Sequence, residues 1–424
     1  MSNLRSSLRT SVLEGMLSEL PSACAGGGVL AAWALFLGLP PVLVGLLGAL
    51  PFVAQSIQLP AAWLTRTFGS RRSALFAIGV SRQLMLPLAL LPFAPLSPRA
   101  RQAVFLSVAA LATVVGVAGN NAWAAWMADL VPQPIRARYF GRRTAFCALG
   151  ATACSLLAGL ALDRGPPRLV LSGLALLASA TGAMTTALLR RQRGPLRSLP
   201  PAAPAFSDAV APLRDTRSRR LLAFQLAWSV ASGLGAAFYP LFMIGVLHLT
   251  FLRVALYNAG LAVFRTLAAP FWRRAHERAG ARRVLLVCSL ALSVAPLLWT
   301  LPTGVRLWPL ALDALVCGTF MAGYNLAALP LPLAWSSPGE QSFHVAAFAA
   351  AGGIAMGIGS LAGAAFVHAL PAHLPFGLVP THALIPCVTI GRLCAAALAL
   401  RIVEPARAQL ALRRAGLAGT KLAA

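Results

Sequence analysis

Charge is scarce in this chain. Asp, Glu, Lys and Arg make up 11% of its 424 residues, and the acids number only 10. A soluble domain carries roughly a quarter charged residues, so a water-soluble globular fold is excluded. Lysine is nearly absent, with Lys421 the single copy. Short segments alternating apolar and polar residues are missing too, which excludes an outer-membrane barrel. Seven cysteines (Cys24, Cys147, Cys154, Cys288, Cys317, Cys387 and Cys394) all fall inside apolar runs. Without metal-type spacing they read as small buried hydrophobes, not as disulfides or metal ligands. The six histidines form no cluster. There is no phosphate-cradling glycine loop, paired catalytic carboxylates or nucleophile motif. No catalytic residue, metal or cofactor is therefore expected, and the chain is not read as an enzyme.

What is present is apolar length. Hydrophobic residues make up 58% of the chain, with a mean hydropathy of +0.75. Twelve runs are long enough to cross a bilayer as helices of about 20 residues. They cover residues 12–37, 42–64, 73–95, 102–130, 141–162, 168–189, 221–247, 253–272, 284–301, 307–334, 345–369 and 379–401. The fold class is an all-α polytopic membrane protein. Residues 190–220, rich in Pro, Arg and Ser, form the one long polar connection and read as a cytoplasmic linker. The expected domains are a six-helix bundle over 1–189, the linker at 190–220, a second bundle over 221–402, and a cytoplasmic tail at 403–424. Arg5 and Arg9 before an apolar run mimic a signal peptide, but Glu14 and Glu19 interrupt that run, so a retained first helix is expected.

The net charge of +26 is a topology signal, not a nucleic-acid footprint. With arginines in the first or last three residues of a span counted in the adjoining gap or tail, the odd-numbered gaps hold only Arg99, Arg101, Arg164, Arg168, Arg253 and Arg306, and Arg82, Arg265 and Arg392 lie inside spans. The remaining basic residues sit before span 1, in even-numbered gaps or in the tail. Both termini are therefore expected in the cytoplasm, with the basic faces attracting anionic lipid headgroups. Enrichment in Arg, Ala, Leu and Pro suggests a bacterial source, hence the cell inner membrane. A monomer is expected.

Twice, a glycine is followed one residue later by two arginines: Gly69-Ser70-Arg71-Arg72 and Gly280-Ala281-Arg282-Arg283, 211 positions apart. Each copy sits in a short polar gap, and similar prolines flank both: Pro60 and Pro270, Pro87 and Pro296, Pro92 and Pro302. The second half reads as a displaced copy of the first, a common construction among transporters. Glycine permits a left-handed turn between closely packed helices. Arginines beside helix ends and carboxylates form charge-assisted hydrogen bonds.

Twelve spans in two sixes, a basic middle loop, and this signature after spans 2 and 8 resemble the major facilitator superfamily over essentially the whole chain. The resemblance implies two bundles that rock about a central cavity and move a small organic solute. The C-terminal copy keeps Glu277, Arg278 and Gly280 in the family order, while the N-terminal copy has Arg66 and Thr67 instead of the acid. Both copies carry one extra residue before the arginines. The family often places an acid at the end of span 4, which here is Asp129. At an offset of 204, Asn325 and Pro338 match Asn121 and Pro134, and Glu340 falls opposite Arg136. The gating set implied is Gly69, Arg71, Arg72, Asp129, Glu277, Arg278, Gly280, Arg282, Arg283 and Glu340. The alternative is that the arginines fix topology alone.

In this family spans 1, 4, 7 and 10 line the cavity. The substrate or proton candidates there are Glu19, with Trp33 on nearly the same face, Asn120 and Trp123, Gln225, Trp228 and Tyr239, and Asp313, Tyr324 and Asn325. A carboxylate inside a membrane costs about 3 kcal/mol on insertion scales, so Asp313 must protonate, pair or face water. Glu14 reads as interfacial. Arg82 and Arg392, on peripheral spans, read as structural pairs or snorkelling side chains, and Arg265 fits either reading. The glycines of span 11 (Gly352, Gly353, Gly357, Gly359 and Gly363) read as a packing surface.

The function expected is secondary transport of a small solute, with proton coupling or facilitated diffusion both open. A membrane enzyme or a sensor keeping the fold is the alternative. Gly165-Pro166 lies in a loop instead of inside span 5, which weakens a drug-efflux reading.

Overall fold

A computed structural model describes residues 2–131, 133–192, 213, 218–236, 238–328, 331, 341–371 and 380–402. Among them are twelve helices long and apolar enough to cross a membrane. They are α1 (Ser7–Phe36), α2 (Val42–Thr65), α3 (Ser70–Leu90), α4 (Pro98–Met127), α5 (Tyr139–Arg164) and α6 (Pro167–Arg191), followed by α7 (Arg219–Val246), α8 (Phe251–Ala279), α9 (Ala281–Thr300), α10 (Trp308–Ala328), α11 (Val345–Ala369) and α12 (Pro380–Ala399). Each lies on one of the runs expected from hydropathy. The fold is all-α and polytopic. Large side chains such as Phe76, Leu90, Leu149, Leu267 and Phe271 stand exposed on these helices, as side chains that meet lipid must.

The chain divides into two compact units. The first comprises Met1–Pro204 with Met243–Leu256, and the second Ala205–Phe242 with Tyr257–Ala424. Most of the 190–220 linker and all of the 403–424 tail lie outside the described residues.

Backbone chemistry sets the irregular points. Gly69 and Gly280 open α3 and α9 with φ of 86° and 87°, a region that L side chains rarely adopt. The α1 span is broken into Ser2–Leu17, Glu19–Cys24 and Gly27–Phe36. Pro21 has no N–H to offer the Leu17 carbonyl, and Gly26 is extended at ψ 178°. This break corrects one sequence expectation. Glu19 and Trp33 do not share a face, because the helical register does not run through residues 25–26. Trp33 is instead buried, its ring 5.5 Å from that of Phe105.

In the first unit Ala74, Ile78, Ala122, Trp126, Met127, Leu130 and Leu189 form a core joining α3, α4 and α6. In the second, Phe224, Trp228, Trp272, Leu285, Leu292 and Phe348 anchor a larger one. There α7 and α11 approach to backbone contact, since a Cβ on Gly359 or Gly363 would fall 2.1 Å from the carbonyl oxygen of Val230 or Leu234. Small residues that let helices meet this closely are the usual device in lipid, where apolar burial gives no drive. Within the first unit, the Asp163 carboxylate at the end of α5 accepts from the Phe251 amide at 2.7 Å and the Leu252 amide at 2.9 Å. The acid just before the Gly165-Pro166 loop thus caps the first turn of α8.

Candidate functional site

The first unit holds a cavity of about 450 Å³, a volume within the range of small-molecule sites. Its polar wall comes from Glu14, Ser18 and Glu19 on α1, Arg82 on α3, Asn120 and Trp123 on α4, and Arg143 on α5. Leu47 and Leu50 of α2 add an apolar side.

Glu14 organises the charges. It is 2% exposed, and its two oxygens meet two guanidinium groups, Arg82 Nη2 at 3.0 Å and Arg143 Nη2 at 3.6 Å. A buried carboxylate needs such partners, because desolvation strongly disfavours an unpaired charge. Arg82 also donates to Thr186 Oγ1 at 3.4 Å, and its stem lies where a Cβ of Gly182 would be, 2.7 Å from Arg82 Cβ. Arg143 donates from Nε to the Ser11 carbonyl at 3.3 Å and lies 4.2 Å over the Trp123 ring. Its guanidinium occupies the space a Gly15 side chain would take, 2.6 Å from Nη2.

The candidates of the first half, Glu19, Asn120 and Trp123, thus come together on one cavity. Glu19 is half-buried and contacts the Cys147 thiol. The Trp123 indole N–H is buried without a hydrogen-bond partner among the described residues. Glu14, Arg82 and Arg143 join them: the sequence places Glu14 at the interface and Arg143 with the topology charges, and reads Arg82 as a structural pair or snorkelling side chain, of which the pair, with Glu14, is what forms. The signal was available: an intramembrane acid and an intramembrane arginine in one half must compensate each other.

The candidates of the second half fall into separate places. Asp313, 2% exposed, accepts from the Tyr257 hydroxyl and from Cys317 Sγ at 3.3 Å. Tyr324, eleven residues further along the same side of α10, stacks on Trp228 with ring centroids 5.2 Å apart, and Arg392 lies 5.5 Å over Trp228. Arg392 donates further to Ser232 Oγ and to the Leu292 carbonyl. Gln225 donates to the Phe348 carbonyl at 2.9 Å. Tyr239 packs on Trp299 at 4.6 Å beside a cavity of about 20 Å³, room for a single water. Asn325 is exposed.

The glycine–arginine motifs act on helix ends. Arg71 donates to the carbonyls of Arg190 and Gln192 and lies 5.7 Å over Trp126. Arg282, its counterpart 211 positions on, donates to the Leu400 carbonyl. Arg72, Glu277, Arg278 and Arg283 are exposed. The Asp129 side chain and Glu340 lie outside the described residues.

Among curated proteins, none matches the chain by sequence. Solved structures do match by shape. The nucleoside transporter NupG superposes with a TM-score of 0.68 at 12% identity, covering 94% of this chain and 99% of that one. A D-xylose-proton symporter gives 0.70 at 14%, covering 95% and 98%. The xylose transporter XylE from E. coli, in a partially occluded inward-open conformation, gives 0.62 at 14% with the same coverage. At such identities the likeness establishes the fold. The sequence profile of the Major Facilitator Superfamily matches residues 16–268, more than half of the chain. With twelve membrane helices in the superfamily's fold and that profile match, the chain belongs to the Major Facilitator Superfamily.

Proposed function

We propose that the chain carries a small polar organic solute across the membrane by alternating access, and that the cavity of the first unit holds the solute. Family and fold make it a secondary transporter. The observation that supports the location is the 450 Å³ cavity in which two acids, two arginines, an amide and an indole converge within a membrane bundle. So many charged groups inside a hydrocarbon-spanning unit mark a solute or ion path. Solute flux without chemical turnover is expected, as for a transporter and not a membrane-embedded enzyme.

Proton coupling belongs to the same reading. Glu19 on the cavity and the buried Asp313 are the acids placed to exchange protons, and the resemblance to a D-xylose-proton symporter makes a pH gradient the first driving force to try. Asp129 and Glu340 remain the acids proposed to gate the arginine motifs. Asp129 follows by three residues Trp126, over which Arg71 lies. The protein works as a monomer in the bacterial inner membrane; the arginine distribution supports cytoplasmic placement of both termini.

The test is uptake into proteoliposomes of labelled sugars, nucleosides, amino acids and organic acids, with and without a pH gradient. Asn120→Trp, which fills the cavity, should abolish uptake while leaving the melting temperature in place. Uptake that survives the tryptophan removes the cavity as the solute site.

A further inference from the structure

The four ionisable side chains on the first unit's cavity, Glu14, Glu19, Arg82 and Arg143, sum to zero formal charge. They are not equally occupied. Both oxygens of Glu14 face arginines, and Arg82 is held by Glu14 and Thr186. Arg143 is less committed. Its contact with Glu14, at 3.6 Å, is beyond hydrogen-bonding distance, and of its donors Nε is engaged, by the Ser11 carbonyl. Glu19 is in no ion pair among the described residues, and its side-chain partner is the Cys147 thiol, a weak donor. The cavity therefore presents one underused cation and one underused anion. Cys147 lies four residues after Arg143 on α5, one turn along the same face, so these two charges stand next to each other. The Trp123 ring lies under the Arg143 guanidinium, and Asn120, exposed, is one turn before it on α4.

On the reading of this cavity as the solute site, we propose that the solute is a zwitterion, an amino acid or betaine, with its carboxylate at Arg143 and its cationic amine at Glu19. A ligand of net charge would leave an uncompensated charge in a membrane-embedded, neutral site. A zwitterion adds an oppositely charged partner to each of these two groups and leaves the cavity neutral. The bidentate geometry of a guanidinium suits a carboxylate. Asn120 supplies a neutral hydrogen bond to the body of the ligand, and Trp123, Leu47 and Leu50 apolar surface.

The experiment is uptake by the full chain in proteoliposomes of four labelled pools: the twenty L-amino acids with glycine betaine, simple amines, monocarboxylates, and neutral sugars with nucleosides. The first pool should be taken up at least tenfold faster than the others. Glu19→Gln, which makes the site cationic, should shift preference toward monocarboxylates. Arg143→Gln, which makes it anionic, should shift preference toward amines. Gly15→Ala, which displaces the Arg143 guanidinium without removing its charge, should raise KM for the zwitterion at least tenfold. Preferred uptake of any other pool by the wild type overturns the zwitterion assignment and leaves the transporter reading intact. Both charge variants keeping the wild-type order of pools also overturns it. Uptake of none of the four overturns both readings.

Discussion

Arg71 closes the end of α6 by donating from Nη2 to the carbonyl of Arg190 at 2.9 Å, with Nε reaching Gln192 O at 3.3 Å. Arg282 stands to Leu400 at the end of α12 as Arg71 stands to Arg190. The last carbonyls of a helix lack intrahelical partners, and a cation there meets the negative end of the helix dipole. Arg71→Ala should loosen the last turn of α6 by about 1–2 kcal/mol, seen as amide exchange near Leu189–Arg191 roughly five to thirty times faster. Arg71→Lys should recover only part of this, because an ammonium cannot present two donors in a fixed fork. Unchanged exchange in the alanine variant would leave Arg71 a topology charge alone.

Removing one partner from a buried ion pair costs more than removing the pair. Glu14→Gln leaves Arg82 and Arg143 without their carboxylate, and a loss of about 3 kcal/mol or more is expected. The double variant Glu14→Gln with Arg82→Met should be more stable than Glu14→Gln alone, since one stranded charge goes with it. Thermal unfolding of the purified variants in detergent decides this. Equal melting points for wild type and Glu14→Gln would show that the pair is not structural.

The twelve helices were legible because a bilayer demands runs of about 20 apolar residues, a signal that needs no tertiary knowledge. The cavity was half legible. Glu19, Asn120 and Trp123 were found by asking which polar residues sit on central spans. Arg82 was legible as one half of a structural pair, but its partner Glu14, and Arg143 beside it, were not legible as cavity residues, because pairing depends on which helices touch. Trp33 failed for a local reason: the helix breaks at Gly26, so a periodicity argument across residues 19–33 has no helix to run along. Asp313 and Tyr324 show the limit of a shared stripe. Eleven residues apart, they lie on one side of α10, yet one meets Tyr257 and the other Trp228.

Glycines with and without neighbours should respond oppositely to alanine. At Gly359 a methyl would sit 2.1 Å from the Val230 carbonyl oxygen, so Gly359→Ala must push α7 and α11 apart. A loss of about 1–3 kcal/mol is expected from overpacking. At Gly173 a methyl meets nothing within 4 Å, and Gly173→Ala should stabilise α6 by roughly 0.5–1 kcal/mol through helix propensity. Melting temperatures moving in the same direction for both variants would contradict the close approach.

Tyr257 donates to Asp313 inside the second unit, and Asp313 is 2% exposed. Tyr257→Phe removes the hydroxyl and leaves a buried carboxyl group short of a donor, at a cost of about 1–3 kcal/mol. Asp313→Asn in the Tyr257→Phe background should recover part of that stability, since a neutral amide tolerates the lost donor better. A double-mutant cycle read by thermal unfolding gives the coupling. Additive losses would mean that the hydroxyl and the carboxyl group act independently.

Asp163 binds the two amides that open α8, Phe251 N through Oδ1 and Leu252 N through Oδ2. Both N–H groups lack helical acceptors by position, and a carboxylate there also meets the positive end of the helix dipole. The capping acid comes from the end of α5, eighty-eight residues earlier in the chain, so the contact is tertiary as well as local. Asp163→Ala should cost about 1–2 kcal/mol. Asp163→Asn keeps an acceptor for one amide and should cost about half as much. Amide exchange at Phe251 and Leu252, faster in the alanine variant than in the asparagine variant and slowest in the wild type, is the expected order. Equal protection in all three would show that the first turn of α8 is held by its neighbours and not by Asp163.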